Sequence, residues 1–416
     1  MSSPLRSNPI GEGRLSAVFK LDPSLLRMAT GGSTGETMCS RDLLQEFKAN
    51  ELRRRRMADD VLQDTVGTWC GARGLAASAR GLTPPLKELT GHAQGAEATR
   101  ATTPHLVGIG YDESDPIRAL RNALEETIGL AQIRRGDSVY LRVNSNSGDP
   151  YPYSTSPRTI GAIGEMLHDL GVTDIRIGDR SFWGDSDTAG NLRDNGIAAA
   201  ATKLGTTALV FDDTVDWVAL PAEALPNWQG PIRVPKLVAT ATHFINLACL
   251  KTHFIAHITM CLKLGLGLVH ASDRRRPGNL DAHVEARLWP QIAEVNKNIT
   301  PSLNILDGYE AVITGGPTIH DRPPLAPGNW RAATANPKVF IVSTDRIAAD
   351  VLGAAVLQTL SPPYEEVQRR KPFELPQIQA AVAAGGLGIA GADALDIAGP
   401  SVPRLEEYRR KARGIL

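Results

Sequence analysis

From residue 107 onward, short apolar runs alternate with segments of helical periodicity, and this alternation constrains the fold more than any other feature. Strands that alternate with helices are typical of α/β proteins, because each helix crosses over to bring the next strand parallel to the last. We therefore predict a mostly parallel, twisted sheet with helices on both faces, a Rossmann-like architecture, in a chain long enough for two lobes. The predicted strands are 107–111, 138–144, 173–179, 208–213, 242–250, 303–308 and 338–345, and the predicted helices include 116–130, 157–171 and 346–360.

The overall composition disfavours several classes of partner. Lys+Arg and Asp+Glu number 45 each and aromatic residues make up 5%, so neither a basic field nor a stacking surface favours nucleic acid or an anionic membrane. Four scattered cysteines do not form a disulfide scaffold, and the sequence shows no secretory signal or membrane-spanning run. We expect a reduced, cytoplasmic protein that acts on a small molecule, and the sequence leaves homo-oligomerisation open.

Several predicted strands end in polar residues. In parallel sheets, ligands bind beyond the carboxyl ends of the strands, so these residues are expected to converge on one crevice if the strands are parallel. Each one by itself is also an ordinary turn or helix-capping residue. The polar strand ends are Asn144, Asp179, Asp212 with Asp213, 251–253, Asp307 and Asp345.

The segment 246–270, NLACLKTHFIAHITMCLKLGLGLVH, carries the most chemistry. It holds two cysteines, three histidines and two lysines among Leu, Ile, Met and Gly. An apolar segment ordinarily avoids ionisable groups, because burying an unpaired charge is costly. The ionisable residues here therefore indicate a functional site or buried ion pairs.

The first hypothesis for this segment is an anion site. If a helix begins near residue 254 or 256, its free N–H groups lie beside Lys251 and His253, and Lys263 lies about two turns into that helix. Arg142, at another strand end, adds a planar donor for carboxylate or phosphate. The alternative is that the lysines pair with acidic strand ends and are structural. The run 274-RRR-276 is expected to form a solvated basic loop near the site.

This hypothesis assigns roles to named residues. The chain is predicted to be an enzyme that acts on a small anionic metabolite by acid–base or metal-assisted chemistry. His253 is the candidate for proton transfer, because imidazole titrates near neutral pH. The other candidate catalytic residues are Lys251, Lys263 and Asp307, and the candidate substrate-binding residues are Arg142, Asn144, Thr252 and Thr259.

The second hypothesis is a divalent metal such as iron or zinc. Cys249, His253, His257 and Cys261 are spaced by four, but on one continuous helix four such ligands cannot meet at a single ion. Two histidines with a carboxylate suit non-haem iron, which would make the protein an iron-dependent oxidoreductase. A non-catalytic module that binds a metallocofactor or a redox partner is the remaining alternative. The candidate ligands are His253, His257, Cys261 and Asp179.

The same segment carries a family resemblance. Residues 245–270 resemble the signature of the domain-of-unknown-function family 362, approximately I-N-L-P-K-L-K-T-H, a short turn, and T-x-x-L-K-N-x-x-G-L-V-P. Ala248, Cys249, Leu264 and His270 depart from it, as does 142-RV-143 from the family's K-P. The matching positions are Asn246, Lys251, Thr252, His253, Thr259, Lys263 and Gly267.

The resemblance also implies a domain organisation. It covers roughly 104–402, which leaves a loop-rich, partly helical N-terminal extension at 1–103 and a helical tail at 403–416. Within the extension, 41–66 has the spacing of an amphipathic helix. Some family members resemble iron–sulfur proteins through attached ferredoxin-like segments. This chain has no C-x2-C-x2-C run, so no four-cysteine iron–sulfur cluster is expected.

Overall fold

A computed structural model describes most of the chain beyond residue 105. The described residues are 106–181, 187–212, 215–220, 222–280, 285–320, 332–360 and 365–415. The helix expected at 41–66 lies outside them. Within these ranges, no helix combines the length and the apolar character needed to cross a bilayer.

One large sheet forms the centre of the fold, and its strands follow the order β12-β1-β11-β9-β7-β2-β3-β4. Two short strands extend it, because β8 pairs with β7 and β10 pairs with β9. Separately, β5 (Trp217–Ala219) and β6 (Arg233–Pro235) form an antiparallel ribbon. The strands of the large sheet are β1 (Leu106–Tyr111), β2 (Ser138–Arg142), β3 (Asp174–Asp179), β4 (Ala208–Val210), β7 (His243–His253), β8 (His257–Thr259), β9 (Leu303–Val312), β10 (Thr334–Ala335), β11 (Val339–Ser343) and β12 (Asp396–Ala398).

The direction of the strands confirms the predicted fold class. Neighbours from β9 through β7, β2 and β3 to β4 are parallel, and β12 is parallel to β1. β11 alone on this path is reversed, since it is antiparallel to both β1 and β9. The carboxyl ends of β2, β3, β7 and β9 therefore meet at one edge, called here the carboxyl edge.

Helices cover both faces of the sheet. Along β2, Val139 and Leu141 face one core and Tyr140 faces the other, as the period of a strand requires. Helices α1, α2 and α4 contribute to the first core, and α8, α9, α11 and α12 to the second. The helices are α1 (Pro116–Glu125), α2 (Pro157–Asp169), α3 (Thr188–Asp194), α4 (Ile197–Lys203), α5 (Leu237–Thr240), α6 (Cys261–Leu264), α7 (Ala271–Arg274), α8 (Glu285–Lys297), α9 (Arg346–Leu357), α10 (Glu365–Gln368), α11 (Pro376–Ala384) and α12 (Pro403–Ala412).

Local sequence explains how the longer helices begin. The side chain of Asp115 accepts a hydrogen bond from the Ile117 N–H ahead of α1, and Ser156 accepts one from the Thr159 N–H ahead of α2. Both helices start with proline, whose missing N–H costs nothing in the first turn. The α2 cap fixes the point at which the chain leaves the carboxyl edge beyond β2.

The prediction of a helix that begins near residue 254 or 256 is wrong. β7 continues to His253, and the chain then reverses into β8, with His253 opposite His257. Helix follows only at Cys261–Leu264, with a 3-10 turn at Gly265–Leu268. No helix N-terminus therefore lies beside Lys251 and His253, and Lys263 is held by a single-turn helix after a hairpin.

The prediction that all the polar strand ends lie at one edge of the sheet is wrong for Asp345. Because β11 is antiparallel to β9, Asp345 lies at the opposite edge of the sheet. There its carboxylate accepts hydrogen bonds from the Ala348 N–H at 2.9 Å and the Ile389 N–H at 2.6 Å. Asp345 is the N-cap of α9 and lies away from the candidate site.

Candidate functional site

A buried ion pair joins the ends of β2 and β3 at the carboxyl edge. Arg142 Nη1 lies 2.7 Å from Asp179 Oδ1, and both side chains are almost fully buried. The Asp179 carboxylate also accepts from the N–H groups of Ser145 and Arg180. Burial raises the pKa of Asp179, and the Arg142 charge and these N–H donors oppose that rise. This pair fixes one end of the carboxyl edge.

A small cavity borders this pair. Its volume is about 30 Å³, which is room for one water-sized group. Three candidate substrate-binding residues line it, namely Arg142, Asn144 and Thr259, and so does the candidate catalytic residue Lys263. The lining residues are Arg142, Asn144, Asn146, Asp179, Arg180, Thr259, Lys263, Leu264, Leu266, Gly267, Arg274 and Pro317.

This lining includes buried hydrogen-bond donors that lack acceptors among the described residues. Among these atoms are Arg142 Nε, Asn146 Nδ2 and Thr259 Oγ1. The first two groups can only donate, and the hydroxyl can donate as well as accept. Leaving a buried donor unpaired costs about 1–3 kcal/mol, so such groups are uncommon without a reason. Their grouping around one cavity indicates a place for an acceptor.

The 3-10 turn after α6 closes against the ion pair at Gly267. A Cβ at Gly267 would lie 1.9 Å from Arg142 Nη2 and 3.0 Å from Asp179 Oδ1. Arg142 Nη2 also donates to the Leu264 carbonyl at 3.2 Å. Glycine is therefore required here for close approach. It brings the turn that carries Lys263 onto the end of β2.

His253 is held as a neutral donor. Its Nδ1 accepts from the N–H groups of Ile255 at 3.1 Å and Ala256 at 3.2 Å, which assigns the ring proton to Nε2. Burial lowers the pKa of His253 well below its ordinary value, and the charges of Lys263 and Lys251 lower it further. At neutral pH this imidazole offers an Nε2–H beside two cationic side chains.

Lys251 lies at the centre of the carboxyl edge and is fully buried. Its Nζ donates to the carbonyl oxygen of Tyr153, and to that of Pro317 at 3.3 Å. Asn144 Nδ2 donates to the same Tyr153 oxygen at 2.9 Å. Lys251 and Asn144 thus hold the loop between β2 and α2 against β7. This arrangement is consistent with a structural contribution from both residues.

A second polar cluster surrounds Asp307 in the middle of β9. Its Oδ1 accepts from the Tyr151 hydroxyl at 2.6 Å, and its Oδ2 accepts from the Thr159 hydroxyl at 2.7 Å. Burial raises the pKa of Asp307 to about 6, and these hydroxyl donors limit the rise. Cys249 is its register partner on β7, and burial raises the pKa of that thiol to about 11. Asp307 is not among the residues that line the cavity.

The structure separates the predicted metal ligands. Asp179 is paired with Arg142, and the Cys261 N–H binds the Asp350 carboxylate in the second core. His253 and His257 lie opposite each other in the hairpin. In the ranges that the structure describes, no three His, Cys, Asp or Glu side chains gather in a way that could hold a metal ion. We therefore derive no step through a metal.

Two further expectations need correction. Thr252, predicted to bind substrate, is buried away from the cavity, and its hydroxyl lies 3.1 Å from the Gly315 carbonyl oxygen and 3.3 Å from that of Val312. Arg274, predicted to lie in a solvated loop, ends helix α7 and is 5% exposed. It lines the cavity, as does Arg180, which the sequence did not single out. The position of Arg180 directly after the β3 carboxyl end was the available signal.

Residues 139–355 match the model of the family described as "Domain of unknown function (DUF362)". Over 252 residues the chain is 27% identical to the thylakoid-associated protein sll1697 of Synechocystis sp.. The aligned region covers 58% of this chain and 71% of that protein. It is also similar, at 11% identity and a TM-score of 0.33, to the lactate racemase apoprotein from Thermoanaerobacterium thermosaccharolyticum. That match covers 61% of this chain and 56% of the other, and it is too distant to bear on activity. Because the family match runs from within β2 into α9 and spans more than half of the chain, the protein belongs to this family of unknown function.

Proposed function

We propose that this protein is an enzyme that binds a small anionic metabolite, a carboxylate or a phosphate, in the cavity beside the Arg142–Asp179 pair. One observation carries the proposal. Arg142 Nε, Asn146 Nδ2 and Thr259 Oγ1 are buried donors without acceptors among the described residues, and all three residues line this cavity. An anion supplies several acceptor oxygens at once and forms charge-assisted hydrogen bonds with such donors.

The charge of the lining supports the same ligand. Arg142 and Lys263 are cationic lining residues from two different elements, the end of β2 and α6. Electrostatic attraction inside a partly buried site is stronger than in water, because less solvent screens the charges. The cavity has room for one water-sized group, so a carboxylate or a phosphate enters only if the half-buried side chains of Lys263 and Asn146 move.

The chemistry that we propose is acid–base catalysis. His253 presents Nε2–H, since two backbone N–H groups occupy its Nδ1. As a neutral imidazole, His253 donates a hydrogen bond rather than a proton, and it does not line the cavity. Lys263, which does line it, is the cation that donates a proton to the substrate or stabilises negative charge that develops on it. Lys251 supports the loop that carries Asn144 and Asn146.

Isothermal titration calorimetry with inorganic phosphate and with malonate tests the binding. Thr259→Val removes one donor at nearly constant volume and is expected to weaken binding about tenfold, since a hydrogen bond to a charged group contributes about 1.5–3 kcal/mol. Lys263→Met is expected to weaken binding at least as much. The matched controls are Thr202→Val and Lys203→Met, at exposed positions on α4.

The outcomes are distinct. Binding of either anion by the wild type, weakened by both cavity variants and by neither control, supports the proposal. If neither anion binds to the wild type, or if Thr259→Val and Lys263→Met bind as the wild type does, the cavity is not an anion site.

A further inference from the structure

Helix α6, which carries Lys263, is too short to hold itself in place. It spans Cys261–Leu264, and the residue before it, Met260, has non-helical backbone angles and provides no side-chain cap. A single helical turn is unstable alone, because the cost of nucleation exceeds the gain from so few hydrogen bonds. The first N–H groups of any helix also need acceptors from elsewhere. Something outside the turn must therefore fix it.

The acceptor comes from a residue far along the chain. Asp350 Oδ1 accepts from the Cys261 N–H at 2.8 Å, and Asp350 Oδ2 accepts from the Leu262 N–H at 3.0 Å. One carboxylate thus caps both leading N–H groups of α6, one oxygen to each. Charge-assisted bonds of this kind are roughly twice as strong as neutral ones. They fix both the position and the direction of the turn.

Helix α9 transmits this constraint from the rigid core. All of its residues from Arg346 to Leu357 are buried, and Asp350 is fully buried among them. One turn further on, a Cβ at Gly353 would lie 2.6 Å from Met260 Sδ and 2.6 Å from Leu306 Cδ2. The helix is therefore packed closely between β9 and the start of the α6 turn. The Asp350 carboxylate is therefore attached to a buried, closely packed helix that has little freedom to move.

The turn that Asp350 caps carries one residue of the proposed anion site and directly follows another. Lys263 is in α6 itself, and Thr259 ends β8 just before Met260. The Leu264 carbonyl that ends α6 accepts from Arg142 Nη2. A shift of α6 therefore displaces Thr259, Lys263 and Arg142 together. Asp350 itself does not line the cavity.

We infer that Asp350 is a positioning residue of the anion site: by capping α6 from α9, it sets the placement of Thr259 and Lys263 without touching the ligand. This inference rests on the proposed function. A fully buried carboxylate is a costly way to cap one helical turn, and burial raises the pKa of Asp350 to about 7. Precise placement of the turn gives a reason for that cost.

The test compares two substitutions on the same helix. Asp350→Asn keeps one acceptor oxygen and places an amide against the other N–H, so we expect phosphate and malonate affinity to fall about tenfold. The matched control is Asp345→Asn, at a buried carboxylate that caps α9 itself and lies at the opposite edge of the sheet. It is expected to lower stability while leaving anion affinity within about twofold of wild type.

Amide hydrogen exchange supplies a readout that a general loss of stability does not move selectively. In Asp350→Asn, exchange at Cys261 and Leu262 should accelerate more than exchange elsewhere in the core, and in Asp345→Asn it should not. Equal anion affinity in the two variants, with wild-type exchange at Cys261 and Leu262, overturns the inference while leaving the anion site intact.

Two further results keep the inference separable from the proposed function. If Asp350→Asn does not fold, exchange is measured on the wild type with and without saturating phosphate or malonate. Slower exchange at Cys261 and Leu262 on binding supports a shared role for the cap and the ligand, and unchanged exchange contradicts it. If the wild type binds neither anion, the proposed function fails first, whatever the variants do.

Discussion

Two buried carboxylates lie along the same edge of the sheet, and they are satisfied in different ways. At one end, Asp179 pairs with the Arg142 guanidinium at 2.7 Å and accepts from two backbone N–H groups. At the other, Asp307 accepts from the hydroxyls of Tyr151 and Thr159. Burial raises the pKa of both carboxyls. At Asp179 the charge of a cation opposes this rise, whereas at Asp307 hydroxyl and N–H donors oppose it.

The difference separates two uses of a buried acid. A carboxylate beside a guanidinium orients that cation, so Asp179 holds Arg142 toward the cavity, and the guanidinium charge opposes the rise in the pKa of Asp179. A carboxyl surrounded by hydroxyl donors, with a pKa of about 6, changes protonation close to physiological pH. At the Asp179 end the carboxylate positions a cation, and at the Asp307 end the carboxyl group can exchange a proton.

The largest expected effect comes from breaking the pair at the Asp179 end. Asp179→Asn leaves the Arg142 guanidinium buried without its counter-charge, so we expect the free energy of unfolding to fall by about 3–5 kcal/mol. Urea denaturation followed by circular dichroism measures the loss. The variant should also bind anions differently, because Arg142 is no longer held in one orientation.

An exposed pair is the matched control for this prediction. Arg176 and Asp174 form a contact of 2.8 Å on β3, the strand that ends in Asp179, with both side chains nearly half exposed. Asp174→Asn is expected to cost less than about 1 kcal/mol, because solvent screens such a pair. Similar losses in the two variants would mean that burial does not distinguish the Asp179 end.

Asp307 is expected to make the stability of the protein depend on pH. Its folded-state pKa of about 6 lies above the ordinary 3.8, so the unfolded chain releases this proton first as the pH rises. The part of the folding free energy that depends on protonation of Asp307 is therefore fully present below pH 3.8. It is lost progressively up to about pH 6, by about 3 kcal/mol in total. Asp307→Asn has no proton to lose. The unfolding free energy of this variant minus that of the wild type should rise across this window.

A second variant sharpens the same measurement. The Tyr151 hydroxyl lowers the pKa of Asp307, so Tyr151→Phe is expected to raise that pKa and to move the window toward higher pH. Urea denaturation of all three proteins between pH 4 and 8 gives the comparison. If the difference in unfolding free energy between Asp307→Asn and the wild type does not change across this range, Asp307 does not change its protonation there.

The sequence predicted the sheet better than the site, for a reason visible at β7. Its apolar run gave the strand, but 254-FIAHITM-260 is equally apolar and has no Gly, Pro or Asn to mark a turn. The reversal falls where His257 adopts a φ of 65°, a conformation that residues other than glycine seldom take. A helix was therefore predicted where the chain forms a hairpin, and Lys263 was attached to the wrong element.

Strand direction limited the prediction at the other end of the chain. The apolar pattern of β11 is the same whether the strand is parallel or antiparallel, so the sequence placed Asp345 at the carboxyl edge. The pairing of β11 with β1 and β9 reverses it. Asp350 was missed as well. Its role depends on a contact across 89 residues with Cys261, which no local pattern carries.

The smallest expected effect probes how tightly the cation end is closed. Gly267→Ala places a methyl group where Arg142 Nη2 now lies, so the buried guanidinium must move, and we expect a loss of about 1–3 kcal/mol together with weaker anion binding. Gly161→Ala is the control, because no atom lies within 4 Å of the added Cβ in helix α2, and it should stabilise the protein by about 0.5–1 kcal/mol. Thermal unfolding and calorimetric titration of both variants measure the effects. If alanine at 267 is as harmless as alanine at 161, Arg142 has room to rearrange, and the end of the sheet that holds Asp179 is no more rigid than the end that holds Asp307.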